Sequence, residues 1–206
     1  MRIVNRGFLL SKKLLPEVEL PENAVEFKEP ENQFNINIPT FIFIFLFILA
    51  IALIFSIAQT FRGPVEIDVT NPGAILGFIM GFVSIMLQGF IKGSYYKKDS
   101  VVYLFYSWRG VYVRYYEPVP KMKFITMELL PSVFLGWAPL IIAAFIPLPA
   151  LLHNFVLVWG FVGALFSCGF YINALNAARQ VPTDGMVQVS GPKFYWFRTR
   201  PHAAAE

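Results

Sequence analysis

The sequence predicts a mainly α-helical, polytopic membrane protein with four transmembrane helices, a small cytoplasmic β-hairpin and a terminal strand. The 206-residue chain is 56% hydrophobic and only 15% charged, whereas a soluble domain carries about a quarter of its residues as Asp, Glu, Lys and Arg. Charged residues are absent from 32–61, 69–91 and 129–178. Because a helix needs about 20 apolar residues to cross a bilayer core, these runs are long enough for one, one and two crossings.

The first 37 residues predict a polar leader ahead of a membrane domain at 38–180. Its glutamates are interrupted by Pro16, Pro21 and Pro30. Prolines at that density oppose a long helix, so we expect an extended or loosely packed leader with a short strand around Val25–Phe27. The first apolar run begins well behind this leader and is too long for a secretory signal core, so we expect it to be retained.

Two apolar helices are predicted next, at about Pro39–Phe61 and 73–92. Proline is favoured at the first helical position, where its missing N–H is not needed, so Pro39 indicates the start of the first helix. Asn71-Pro72-Gly73 indicates the turn into the second.

The segment at about 98–118 predicts a β-hairpin inserted between the second and third helices. Ser100–Tyr106 and Gly110–Tyr116 are rich in Val and Tyr, and a short segment containing Gly110 joins them. β-Branched and aromatic runs joined in this way are typical of paired strands.

Two late helices are predicted at about 124–146 and 151–178, and the proline-containing turn Pro147–Pro149 joins them. The short connection predicts antiparallel neighbours. Pro131 and Pro139 lie inside the third helix and predict a kink there.

The tail at 181–206 predicts a strand at Met186–Ser190 followed by a basic, aromatic end. Lys and Arg are concentrated in this tail and around the hairpin, whereas the first connection holds only Arg62 and the late turn holds none. The positive-inside rule therefore places both termini and the hairpin in the cytoplasm. We expect these basic segments to face anionic lipid headgroups, and we expect no nucleic-acid partner.

A series of motifs lies between Tyr112 and Leu140 in the passage YVRYYEPVPKMKFITMELLPSVFLGWAPL. It contains the Glu117-Pro118 pair, Pro131 and the Leu-Gly-x-x-Pro segment that begins at Leu135. With the tail AARQVPTDGMVQVSGPKFYWF, this order resembles the bacterial DUF3267 family of zincin-type membrane peptidases. The resemblance implies a bacterial inner-membrane protein.

The resemblance also implies a metal site. Members of the family carry a His-Glu-x-x-His motif near the cytoplasmic end of the second helix, and an acidic third ligand on the fourth. Two histidines one turn apart can bind one zinc ion, and the Glu between them acts as general base. In such a site zinc lowers the pKa of its bound water for peptide hydrolysis.

The motif positions carry other residue types in this chain. Ser84, Ile85 and Gln88 stand where the family has His, Glu and His, and Phe170 stands at the acidic position. Ser and Gln are poor zinc ligands, and Ile and Phe can neither ligate a metal nor accept a proton. We therefore expect no catalytic residue, no metal and no cofactor at these positions.

Other polar residues of the helices leave alternatives open. Asn173 and Asn176 share a helical face with Phe170; they either form interhelical hydrogen bonds or line a residual cavity with Ser84 and Gln88. Intramembrane acids are functional candidates by default, and Glu128 is the one acid inside an apolar run.

We expect a structural role for Glu128 at headgroup level, close to Lys121 and Lys123. Cys168 is expected to be a small buried residue rather than a nucleophile.

The leading hypothesis is a catalytically degenerate relative of the membrane zincins that acts as a binding or regulatory scaffold for lipids or a transmembrane protein partner. One alternative is an active intramembrane peptidase with an unrecognised site using Glu128 or Cys168. Another is a small transport or lipid-interacting protein, although the sequence indicates neither the paired buried charges nor the broken helices of transport sites. The loss of the motif is equally compatible with natural degeneration and with redesign.

Overall fold

The computed structural model of the chain describes most of its residues. They are 2–8, 15–28, 33–64, 68, 70–95, 101–107 and 110–198. Two compact units are formed, which we call the helix unit (30–88 and 129–172) and the sheet unit (1–29, 89–128 and 173–206).

The chain is mainly helical, as predicted. The helices are α1 (Gln33–Arg62), α2 (Pro72–Ser94), α3 (Lys121–Ser132), a π-helical turn (Val133–Trp137), α4 (Ala138–Phe145), α5 (Ala150–Leu165) and α6 (Cys168–Gln180). Phe41–Arg62, Pro72–Ser94 and Lys121–Phe145 are long and apolar enough to cross a membrane, and α5 with α6 adds a fourth such segment when the two are counted together. The predicted positions of the apolar helices are therefore confirmed to within a few residues, except at the start of α1.

Helix α1 begins at Gln33, so the prediction that Pro39 marks its start is wrong. No proline or glycine lies between Gln33 and Ile38 to end the helix there. Pro39 removes only one backbone donor, and the helix continues through it. At its other end, the Arg62 guanidinium donates to the carbonyls of Ala143 (2.7 Å) and Ile146 (2.9 Å), which caps the C-terminus of α4.

The two prolines of the third helix flank a π-helical turn. Pro131 lies near the end of α3 and Pro139 near the start of α4, while the turn occupies Val133–Trp137. There the N–H of Ala138 donates to the carbonyl of Val133, five residues back. Where the two prolines predict a kink, the structure has one widened turn. Such π-type turns are one way in which a helix re-satisfies the backbone groups that a proline leaves without a donor.

The fourth apolar segment is broken, and the prediction of one continuous helix at 151–178 is wrong. Helices α5 and α6 meet at an angle of 44°. The Ser167 hydroxyl donates to the carbonyl of Gly163 (2.7 Å), and the Ser167 N–H donates to Ala164, three residues back (3.2 Å). A hydroxyl that bonds back to its own helix competes with the regular ladder and favours a bend.

Helices α4 and α5 pack closely in the helix unit, as their short connection predicts. A Cβ at Gly136 would lie 2.7 Å from the Ala164 backbone, and one at Gly160 would lie 2.7 Å from the Leu140 nitrogen. Small residues allow helix backbones to approach this closely. The core beside this contact is formed by Phe47, Leu140, Ala143, Val156, Leu157 and Ala164.

Two small sheets belong to the sheet unit. In the first, β3 (Val101–Ser107) pairs antiparallel with β4 (Gly110–Tyr115) and parallel with β1 (Arg2–Phe8). In the second, the strands follow the order β2 (Val25–Glu26), β7 (Lys193–Arg198), β6 (Gly185–Ser190) and β5 (Val119–Pro120).

These pairings confirm the hairpin, the strand near Val25 and the strand at Met186–Ser190. The leader is not loosely packed throughout, because β1 pairs with β3 through Arg2–Asn5 and Phe8. Phe27 of the leader is also buried, against Phe124 and Phe194.

Candidate functional site

Ser84 on α2 is fully buried and hydrogen-bonded. Its hydroxyl donates to the carbonyl of Met80 on its own helix (2.9 Å) and accepts from the Trp159 indole N–H on α5 (2.7 Å). Both hydrogen-bonding roles of the hydroxyl are therefore used, one within the helix and one between helices.

Gln88, one turn further along α2, is also fully buried. Its Nε2 donates to Ser167 Oγ (3.1 Å) and lies 3.5 Å from the carbonyl of Gly163. Because Ser167 donates in turn to Gly163, the amide side chain joins α2 to the bend between α5 and α6.

Glycines on the same stretch of α2 let these hydrogen bonds form. A Cβ at Gly77 would lie 3.0 Å from the Trp159 backbone nitrogen, and one at Gly81 would lie 2.5 Å from Val162. Larger residues would hold α2 and α5 apart, which would lengthen the contacts of Ser84 and Gln88.

The four motif-equivalent positions do not fit a zinc ion. The polar atoms of Ser84 and Gln88 are engaged with Trp159 and Ser167, while Ile85 and Phe170 are half-buried hydrocarbon side chains. Within the ranges that the structure describes, no group of three or more His, Cys, Asp and Glu residues could hold a metal. The sequence does not identify Trp159 and Ser167 as the partners of Ser84 and Gln88, because nothing in an apolar run marks which residue faces which.

Lys92 and Glu128 form a buried ion pair in the sheet unit. Lys92 Nζ lies 2.9 Å from Glu128 Oε2, and the two residues are only 8% and 6% exposed. Asn173 Nδ2 on α6 donates to the same carboxylate oxygen (3.2 Å). Charges out of water are stabilised only when they are paired and hydrogen-bonded, and this triad meets both conditions.

The expected neighbours Lys121 and Lys123 are not the residues that pair with Glu128 in the structure, and the expectation that Glu128 lies at headgroup level stays a prediction. Lys121 Nζ instead donates to the carbonyls of Ala178 (2.9 Å) and Val181 (2.6 Å). Carbonyls at a helix C-terminus carry partial negative charge and attract cations. The amine of Lys121 therefore caps α6, and Lys92 is the cation that meets Glu128.

The expected residual cavity of Ser84, Gln88, Asn173 and Asn176 stays a prediction. Ser84 and Gln88 belong to the helix unit, whereas both asparagines belong to the sheet unit. The alternative of interhelical hydrogen bonding is realised by Asn173, which links α6 to α3 through Glu128.

His153 and Cys168, which carry an imidazole and a thiol, are distant in sequence from Lys92 and Glu128. His153 is buried near the start of α5, and its Nε2 has no hydrogen-bond partner among the described residues. Cys168 is half-buried at the start of α6, so the expectation of a buried residue holds only in part.

Comparison of the chain with protein-family models, with curated proteins and with solved structures gives no match.

Proposed function

We propose that the chain is an integral membrane protein of the bacterial inner membrane with four crossings and cytoplasmic termini. Its three long apolar helices and the bent α5–α6 pair support four crossings. The concentration of Lys and Arg in the hairpin region and the tail supports the orientation.

Within the membrane, the protein acts as a non-catalytic scaffold related to the DUF3267 zincin-type peptidases. The observation that carries this proposal is the engagement of Ser84 and Gln88 in buried hydrogen bonds to Trp159 and Ser167. Such bonds contribute about 0.6 kcal/mol on average and up to about 1.7 kcal/mol in a membrane. The positions that would perform hydrolysis in a relative therefore hold helices together in this chain.

Helix α1 supplies the surface of this scaffold that meets other molecules. Only 11% of the apolar window of Phe41–Arg62 is buried within the chain. Phe41, Phe45, Leu49 and Leu53 recur every fourth residue and are all exposed, so they form one apolar stripe. Lipid acyl chains or an apolar helix of a membrane partner would cover it.

Restoring the lost residues tests the relation to the zincins. The variant Ser84→His/Ile85→Glu/Gln88→His/Phe170→Asp is expected to take up zinc, because histidines at i and i+4 share one helical face. Zinc bound per folded chain is the measurement. A variant that folds and takes up no zinc would show that the motif is wrongly placed on these positions.

A second restored variant serves as the matched control. It carries the same changes on α2 but places the acid at Ser167, which contacts Gln88 directly, and keeps Phe170. Uptake of zinc only by this variant would assign the third ligand position to 167 and contradict the alignment at 170.

Transport is a second candidate function, favoured by the buried Lys92–Glu128 pair. Paired charges in apolar helices commonly mark ion or proton pathways. The break between α5 and α6 is a second feature that transporters share. The sequence indicates neither a pair of buried charges nor a broken helix, but the structure contains both. Neither the ion pair nor the bend is visible in the sequence.

Flux through liposomes that contain the purified protein tests this candidate. If the pair couples to an ion, the wild-type protein is expected to carry a proton or cation flux that Lys92→Met and Glu128→Gln abolish. Glu22→Gln, an exposed carboxylate, should leave the flux unchanged. Equal flux with empty liposomes would reject transport of the ions tested.

A further inference from the structure

One face of the first sheet gathers two arginines and two tyrosines. The Arg6 guanidinium on β1 lies 5.1 Å from the centroid of the Tyr103 ring on β3. Tyr103 pairs in register with Arg114 on β4, and its ring meets that of Tyr116 edge-on at 5.3 Å. Residues paired across strands project to the same face, as do residues two apart along a strand, so the four side chains form one cluster.

The hydroxyl of Tyr116 is the unusual member of this cluster. Tyr116 is only 8% exposed, and its hydroxyl has no hydrogen-bond partner among the described residues. A buried polar group without a partner is unfavourable by about 1–3 kcal/mol, so a group from outside the chain that bonds to it would be favoured.

The charge around Tyr116 indicates the sign of that group. Burial raises the pKa of the Tyr116 hydroxyl, while the positive charges of Arg114 and Arg6 act on it in the opposite direction. The hydroxyl therefore stays protonated at neutral pH and can donate a hydrogen bond to an anion that the two guanidinium groups attract. Arg6 is exposed and Arg114 is half-buried, so Arg6 is the member of the cluster that an anion from solution meets first.

We propose that Arg6, Arg114 and Tyr116 bind a phosphate group, carried either by an anionic lipid or by a soluble phosphate compound. Guanidinium forks bind phosphate oxygens in pairs. Two guanidinium charges match a phosphate group, which carries about −1.5 to −2 charges at neutral pH, better than a carboxylate, which carries one. This site is independent of the proposed relation to the zincins, because it uses none of the helix positions.

Binding to the full chain in phosphatidylcholine nanodiscs tests the proposal. The soluble arm titrates inorganic phosphate and glycerol 3-phosphate, with succinate as a carboxylate comparison. The lipid arm measures retention of phosphatidic acid against phosphatidylcholine by native mass spectrometry. Saturable binding in either arm is expected; binding only in the lipid arm assigns the phosphate to a headgroup, and binding in both arms assigns a general phosphate site.

Three variants connect that binding to the cluster. Arg6→Gln, Arg114→Gln and Tyr116→Phe should each weaken binding by about tenfold, the effect of one lost charge-assisted hydrogen bond. Arg179→Gln is the matched control, because Arg179 is an exposed arginine at the end of α6. Tyr116→Phe should not lower the unfolding midpoint below that of the wild type, since the hydroxyl it removes has no partner among the described residues.

Absence of binding in both arms would overturn the proposal. It would also be overturned by binding that Arg179→Gln weakens as much as the cluster variants do, or by succinate binding as tight as that of phosphate.

Discussion

Glu128→Ala is expected to lower the free energy of unfolding by about 3–5 kcal/mol, the usual effect of breaking a buried ion pair. The substitution removes the carboxylate that lies 2.9 Å from Lys92 Nζ and leaves the ammonium group in a buried environment. It also removes the acceptor of the Asn173 amide. Denaturant titration of the purified protein in detergent micelles, with and without the substitution, measures the difference.

Two further variants separate the charge effect from a general loss of packing. Replacing both partners, as in Lys92→Met/Glu128→Met, should recover most of the lost stability, because well-packed apolar residues often replace a buried pair without loss. Glu22→Ala, at an exposed position, should change stability by no more than about 0.5 kcal/mol. If Glu128→Ala changed the free energy of unfolding as little as Glu22→Ala does, the Lys92–Glu128 pair would contribute nothing to stability. Its description as a stabilising buried ion pair would then be wrong.

Gly136→Ala is expected to lower the free energy of unfolding by about 1–3 kcal/mol, the range for overpacking a tight core. The added Cβ would lie 2.7 Å from both the nitrogen and the Cα of Ala164 and 2.8 Å from its Cβ. Two of these three are backbone atoms, so no rotamer change relieves the contact and α5 must move away from the π-helical turn. The same micelle titration measures this loss.

Gly169→Ala is the matched control for that substitution. A Cβ at Gly169 meets nothing within 4 Å, and alanine is favoured over glycine in a helix by about 1 kcal/mol. The control should therefore be neutral or stabilising. Equal losses for the two variants would contradict the close approach at Gly136.

Much of the helical part of the fold follows from composition. The charge-free runs place α2, the third apolar helix and the start of α5 close to their positions in the structure, because a long apolar run that must satisfy its own backbone favours a helix. The hairpin follows from its Val- and Tyr-rich strands. These features are local in sequence, and local signals are sufficient for them.

The features that sequence reasoning missed depend on contacts between distant residues. Strand β1 is defined by its pairing with β3, about a hundred residues later. The bend before α6 depends on Ser167, a single hydroxyl in an apolar run. Neither has a periodic pattern that would distinguish it from its surroundings.

At the candidate site, too, the sequence identifies some of the residues but not their partners. Ser84 and Gln88 stand out in sequence as polar residues on one helical face, and in the structure both are fully buried. Their partners Trp159 and Ser167 cannot be chosen from sequence. The pairing of Glu128 with Lys92 rather than with its nearer neighbours in sequence likewise depends on how the helices pack.

Zinc content is the measurement that tests the scaffold proposal most directly. Elemental analysis of the wild-type protein, purified without chelators, should find zinc well below one ion per chain. Gln88→Ala should leave that content unchanged, because Gln88 bonds to Ser167 and Gly163. One zinc ion per wild-type chain that is lost in Gln88→Ala would contradict the account and return the protein to the metal-dependent peptidases.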